Sequence, residues 1–189
     1  TTMQEGYKIT GQVLASHITD RTKLFLFSSP CNPSGAVYSL GELRSLVDVF
    51  VKHPSVYIIS DEIYEYIMFD GTLTSFAALP GMAERTLMCS SLSKTFSITG
   101  WRLGYVHATP SIIAQARKVH DFLTVGAAAP LQHAVVTALN FPPAYYQQLA
   151  ADYLAQREVL CGYLDRTGRG RQATKLAFDH FSKPSNTLL

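Results

Sequence analysis

Short apolar runs that stop abruptly at polar residues constrain this chain more than any other feature. Leu24-Phe25-Leu26-Phe27 precedes Ser29-Pro30-Cys31-Asn32-Pro33-Ser34-Gly35, and Val56-Tyr57-Ile58-Ile59-Ser60 runs into Asp61-Glu62-Ile63-Tyr64. Runs this short and this rich in β-branched and aromatic residues read as buried strands, here over 22–27, 56–60, 86–89 and 103–107. Helical patterns separate and follow them. Ser39 with Glu42 makes a capping box for a helix to about Lys52, with Leu43, Leu46, Val47 and Phe50 on one face. Residues 11–18 read as a short helix or linker, and 66–69 as a short extended piece. Helices over 110–122, 130–139 and 143–164 close the pattern. Strands alternating with helices predict an α/β fold, three layers α/β/α around a mostly parallel sheet. Ligands in such sheets bind in the turns beyond the carboxyl ends of the strands, where the polar residues fall.

Composition narrows the function classes. With 189 residues, 47% hydrophobic and 16% charged, the chain is globular and long enough for one core. A net charge of +2 without a run of Lys or Arg gives no footing for nucleic acid. No apolar run is long enough to span a bilayer, no targeting signal is visible, and no internal repeat occurs. Cys31, Cys89 and Cys161 are odd in number and far apart, which predicts reduced thiols in a reducing, cytoplasmic compartment and no zinc site.

The chemistry concentrates in Ser91-Leu92-Ser93-Lys94-Thr95-Phe96-Ser97-Ile98-Thr99-Gly100-Trp101-Arg102-Leu103-Gly104. A lysine among small, hydroxyl-bearing and apolar residues is poorly solvated, and desolvation favours the neutral amine that Schiff-base chemistry needs. Ser91 and Arg102 supply a hydroxyl and a planar cation suited to a phosphate. Taken alone, the segment reads equally as a solvated serine-rich turn. Ser91-x-x-Lys94 also matches a β-lactamase nucleophile motif, but the Ser-Asp-Asn and Lys-Thr-Gly elements that go with it are missing. Asp61, at a strand tip, reads as a partner for a protonated ring nitrogen or as a cap for the next segment. Tyr64 reads as a donor to a nearby oxygen.

Together, the Asn-Pro-x-Gly, Asp-x-x-Tyr and Ser-x-Ser-Lys…Gly-x-Arg-x-Gly elements resemble the class I/II aminotransferases, the aspartate-aminotransferase-like pyridoxal-phosphate enzymes. The resemblance runs from about Gly11 to Thr167 and implies a role for each matching residue. Lys94 would form the internal aldimine with pyridoxal 5'-phosphate and then shuttle a proton. Asp61 would pair with the pyridinium nitrogen. Asn32 and Tyr64 would hydrogen-bond the phenolic oxygen. Ser91 and Arg102, with Ser93 as a further candidate, would hold the phosphate.

The implied reaction moves an amino group from an amino acid to a 2-oxo acid, in a homodimer. A lyase or synthase of the same fold, or an inactive fragment, shares the same residues. Family members are longer, so residues 1–167 read as part of the large, cofactor-binding domain, and 168–189 as a tail that departs from the family pattern. A glycine-containing phosphate loop, a ring-stacking aromatic and a carboxylate-gripping arginine belong to the family segments that this chain does not contain. Arg166, Arg169 and Arg171 carry no family motif around them. Gly168-x-Gly170-x-x-Ala173 echoes a dinucleotide fingerprint without the strand that should precede it.

Overall fold

The first apolar run forms strand β1 (Leu24–Ser28) and the second forms β2 (Tyr57–Asp61). They pair in parallel, with Leu24 opposite Tyr57 and Ser28 opposite Asp61. β3 (Thr86–Ser91) adds in parallel on the other side of β2, placing Cys89 opposite Asp61. β4 (Gly104–His107) closes the order β1-β2-β3-β4 in antiparallel sense, with Ser91 opposite Gly104. The computed structural model describes residues 1–69 and 71–166, so the tail over 168–189, with Arg169, Arg171 and the glycine pattern, lies outside the described residues.

Helices α1 (Gly11–His17) and α2 (Leu40–Phe50) pack on one face of the sheet; α3 (Leu92–Thr95), α4 (Pro110–Leu123), α5 (Ala129–Leu139) and α6 (Pro143–Arg166) follow later in the chain. Alternate side chains of β1 divide between the faces, as the pleat requires. Phe25 and Phe27 turn toward α2, and their rings sit 5.2 Å from Phe50 and 5.1 Å from Phe76 respectively. Phe50, Phe76, Leu46 and Ile58 are fully buried there. Leu24 and Leu26 face the other way and are exposed, and Leu24 lines an open groove bordered also by Ile112 and Val119 of α4.

Local chemistry fixes α2 at both ends. Ser39 Oγ accepts from Glu42 N at 3.3 Å while Glu42 Oε2 accepts from Ser39 N at 2.7 Å, the capping box read from the sequence. Lys8 Nζ joins Glu42 at 2.9 Å. Burial works against ionisation of Glu42, but the Lys8 and Ser39 donors outweigh it and hold its carboxyl below the usual range. Past the other end, Arg85 donates to the carbonyls of Val56, Phe50 and His53 at 2.9, 3.0 and 2.6 Å, tying the exit of α2 to the entry of β2. Gly11 is obligatory because a Cβ there would collide with the Ser45 carbonyl of α2.

One expectation changes. Residues 66–69 form no strand, because the chain turns through 63–66 and the Tyr64 carbonyl accepts from Ile67 N at 2.9 Å. The link from β2 to β3 carries two 3-10 turns, Phe76–Ala78 and Ala83–Arg85. Replacing Ser39 with Ala removes one arm of the capping box and is expected to cost about 1 kcal/mol, read as a lower urea midpoint at unchanged slope.

Candidate active site

The carboxyl ends of β1, β2 and β3 lie at one level, and the residues singled out by their chemistry follow them directly. The ladder continues one step past each strand: Ser29 N donates to the Asp61 carbonyl at 3.1 Å, and Glu62 N to that of Cys89 at 2.8 Å. Beyond β1 the chain turns tightly, with Gly35 N on the Cys31 carbonyl at 2.7 Å and Cys31 N on that of Ala36 at 2.9 Å. Gly35 sits at φ 69°, where a Cβ would be strained. This turn presents Asn32, whose Nδ2 donates to Tyr64 Oη at 3.2 Å. Two residues distant in sequence thus become one polar pair, at the rim of a groove of about 570 Å³ lined also by Cys31, Ile67, Met68 and Phe69.

Asp61 and Glu62 are neighbours with opposite environments. Asp61 Oδ1 accepts from Ile63 N at 3.2 Å, the capping role open to it from the start. Its Oδ2 has no hydrogen bond among the described residues. Glu62 is only 3% exposed, and its Oε1 accepts from Ser60 Oγ at 2.7 Å, Ser75 Oγ at 3.0 Å and Phe76 N at 3.1 Å. Glu62 therefore anchors the turn that carries Tyr64. Cys89, opposite Asp61 on β3, has its thiol pKa raised by burial and further by the charges of Asp61 and Glu62.

Lys94 lies in α3, a single turn held at its start by Ser91. Ser91 Oγ accepts from Ser93 N at 3.1 Å and lies 2.9 Å from both Ser93 Oγ and the Leu103 carbonyl. Leu103 also accepts from Leu92 N at 3.2 Å, so the strand leaving the site runs back along the start of the lysine helix. Arg102 precedes it at φ 56°, a left-handed conformation unusual for an arginine, with Nη1 on the Thr99 carbonyl at 3.1 Å. Lys94 is half-buried and has no hydrogen-bond partner among the described residues.

Several contributors carried no sequence signal of their own. Glu65 Oε1 accepts from Tyr105 Oη at 3.2 Å and Ser90 Oγ at 3.3 Å, joining the Tyr64 turn to β3 and β4. Burial, and to a lesser degree the charge of Glu62, raises the Glu65 carboxyl pKa against the pull of those two donors. Tyr145 Oη of α6 donates to the Thr95 carbonyl at 2.8 Å. Only the acidic pair flanking Tyr64 in sequence hinted at the first of these, and nothing pointed to the second.

The family model described as aminotransferase class I and II matches residues 1–187. The chain belongs to the class I and II aminotransferases. It is 42% identical over 166 residues to the kynurenine–oxoglutarate transaminase of Dictyostelium discoideum, covering 86% of this chain and 38% of that protein. It is 35% identical over 165 residues to the aspartate/prephenate aminotransferase of Cereibacter sphaeroides, covering 86% and 41%. Among solved structures, the aspartate aminotransferase of Rhizobium meliloti superposes with a TM-score of 0.81 at 33% identity, over 88% of this chain and 42% of that one. N-succinyldiaminopimelate aminotransferase of Mycobacterium tuberculosis does so with a TM-score of 0.80 at 34% identity, over 85% and 42%. The chain thus spans less than half the length of these relatives, and the α/β fold with its mostly parallel sheet is that of the aminotransferases. No helix among the described residues is long and apolar enough to cross a membrane.

The two neighbouring carboxylates are expected to separate by experiment. Glu62→Ala strands three donors in the interior and should cost about 3 kcal/mol, whereas Asp61→Asn keeps the acceptor for Ile63 N and should leave the urea midpoint near wild type. Glu65 provides a pH test. A carboxyl with a raised folded pKa favours folding most below its ordinary value of 4.5, and that contribution is lost as pH rises through the raised value. Glu65→Gln should therefore gain stability relative to wild type as pH climbs above 4.5, measured by thermal melts across pH.

Proposed function

We propose that this chain is the cofactor-holding part of a pyridoxal-phosphate-dependent amino-acid transaminase, with residues 1–167 within the large domain. The observation that carries the reading is the supply of a lysine with no partner among the described residues, a strand-tip carboxylate, an amide–phenol pair, serine hydroxyls and a guanidinium from the segments at the ends of adjacent strands. The donor set fits the cofactor group by group. The free Oδ2 of Asp61 suits a protonated ring nitrogen, and the Asn32–Tyr64 pair suits a phenolic oxygen. Ser91, Ser93 and Arg102 suit a phosphate, and the strained backbone at Arg102 is what a position held for binding would show.

When bound, pyridoxal phosphate supplies an aldehyde that condenses with an amine and a protonated ring that draws electron density from a substrate carbon. Lys94 Nζ would hold the cofactor and, once displaced by substrate, take the proton from the substrate Cα. Asp61 would pair with the ring nitrogen and so favour its protonated form. Tyr64 Oη and Asn32 Nδ2 would donate to the phenolic oxygen and so lower the basicity of the lysine-linked nitrogen.

The relatives named for kynurenine, aspartate and prephenate support a substrate class of amino acids paired with 2-oxo acids. Homodimeric assembly belongs to the same proposal on the strength of the resemblance, and a cytoplasmic site of action on the three free, scattered cysteines. Incubation with pyridoxal phosphate followed by borohydride should fix the cofactor to the Lys94 peptide, and Lys94→Ala should abolish the absorption band. Label on Lys23, Lys52 or Lys118 with Lys94 unmodified would refute the assignment.

A further inference from the structure

The lysine helix and the Tyr64 turn come from different strands, and two adjacent tyrosines at the start of α6 touch both. Tyr145 Oη donates to the carbonyl of Thr95, the residue after Lys94 and the last of α3, at 2.8 Å. Its ring stacks on Phe96 with centroids 5.7 Å apart and meets Phe141 at 4.9 Å. Tyr146 meets Phe96 edge-on at 6.3 Å and lies closer, at 4.4 Å, to the ring of Tyr66, two residues past Tyr64. The two phenol rings meet edge to face at 5.4 Å, the preferred geometry for an aromatic pair. The result is a continuous strut, Thr95–Tyr145–Tyr146–Tyr66, between the element that presents Lys94 and the turn that presents Tyr64.

This contact has a mechanical reason. α3 is four residues long, too short to hold itself by its own hydrogen bonds. Ser91 fixes its start, and Tyr145 fixes its end on an otherwise unpaired terminal carbonyl. The Tyr64 turn has no such helix beneath it. It rests on Glu62 and Glu65 on one side and on Tyr146 through Tyr66 on the other.

We propose that Tyr145 and Tyr146 are positioning residues that fix the distance between Lys94 and Tyr64. This rests on the cofactor reading above. Tyr145 acts on Lys94 through Thr95, and Tyr146 acts on Tyr64 through Tyr66; neither touches the cofactor. A displaced lysine reaches the cofactor aldehyde less often. A displaced Tyr64 no longer donates to the phenolic oxygen, which makes the lysine-linked nitrogen easier to protonate.

The test uses the intact protein, pyridoxal 5'-phosphate as the probe, and two readouts besides turnover. One is the concentration dependence of borohydride capture at Lys94, followed by mass spectrometry. The other is the pH midpoint of the absorbance of the Lys94 adduct. Tyr145→Phe keeps the ring against Phe96 and Phe141 and removes only the hydroxyl. It should weaken capture at Lys94 by about fivefold, the size of one net hydrogen bond. Tyr146→Leu should raise the pH midpoint by about half a unit, and adding Tyr64→Phe to it should give the midpoint of Tyr64→Phe alone. Variants that melt earlier but match wild type in both readouts would overturn the proposal, as would a double variant whose midpoint shifts add. Wild-type protein that shows no capture at Lys94 would instead overturn the cofactor reading, and this inference with it.

Discussion

The common level of three parallel strand ends governs everything built above them. Ser28, Asp61 and Cys89 lie side by side, and the ladder runs one residue further before the turns diverge. Each ladder bond contributes only about 1 kcal/mol net, whereas burying one Phe or Ile contributes about 2 kcal/mol. The register is therefore held mainly by the packed layer beneath it, where Phe27, Phe50, Ile58 and Phe76 interlock. A slip of one residue would send Phe25 and Phe27 to the open face and expose the core. Such a slip would also rotate Asp61 away from its neighbours, so packing and site geometry stand or fall together.

Electrostatics then divides the acids by task. Asp61 stays at the strand tip with one oxygen uncommitted, which keeps it able to meet a cation. Glu62, one residue on, points into the interior and spends its charge on Ser60, Ser75 and the Phe76 amide. Glu65 sits between these extremes, with two donors from the neighbouring strands and a carboxyl pushed up by burial. Three acids within five residues thus include a carboxylate kept available, one buried and committed to three donors through one oxygen, and one whose charge is opposed by desolvation.

Much of this was legible in the residues. The capping box at Ser39 and Glu42, the apolar face of α2 and the strand that delivers Asp61 each follow from short-range rules with a single physical answer. The pairing of Asn32 with Tyr64 was legible only as two roles, because contact across a sheet depends on which strands become neighbours. Residues 66–69 read as extended because their Tyr, Ile and Phe content suits a strand, but the preceding turn, closed by Glu65 N on the Glu62 carbonyl and Ile67 N on the Tyr64 carbonyl, bends the chain away from the sheet. The antiparallel sense of β4 and the grip of Tyr145 on Thr95 arise between segments far apart in sequence, and no local pattern encodes them. For the same reason the continuous apolar run of β1 suggested cover on both faces, while Leu24 and Leu26 remain open.

The pairing of Ser91 with Gly104 makes residues 92–103 a closed detour whose two ends are pinned to adjacent strands. Its thermodynamic cost is that of one loop, and doubling a loop's length adds only about 0.6 kcal/mol. Gly104 seals the junction because a Cβ there would crowd the Ser90 carbonyl at 3.0 Å, and inside the detour Leu92 and Leu103 pack with Val135 of α5 in a second small core. The segment that holds the lysine is therefore constrained from behind, by α5 through that core and by α6 through the contacts of Tyr145 with Thr95 and Phe96, more than by the sheet it interrupts.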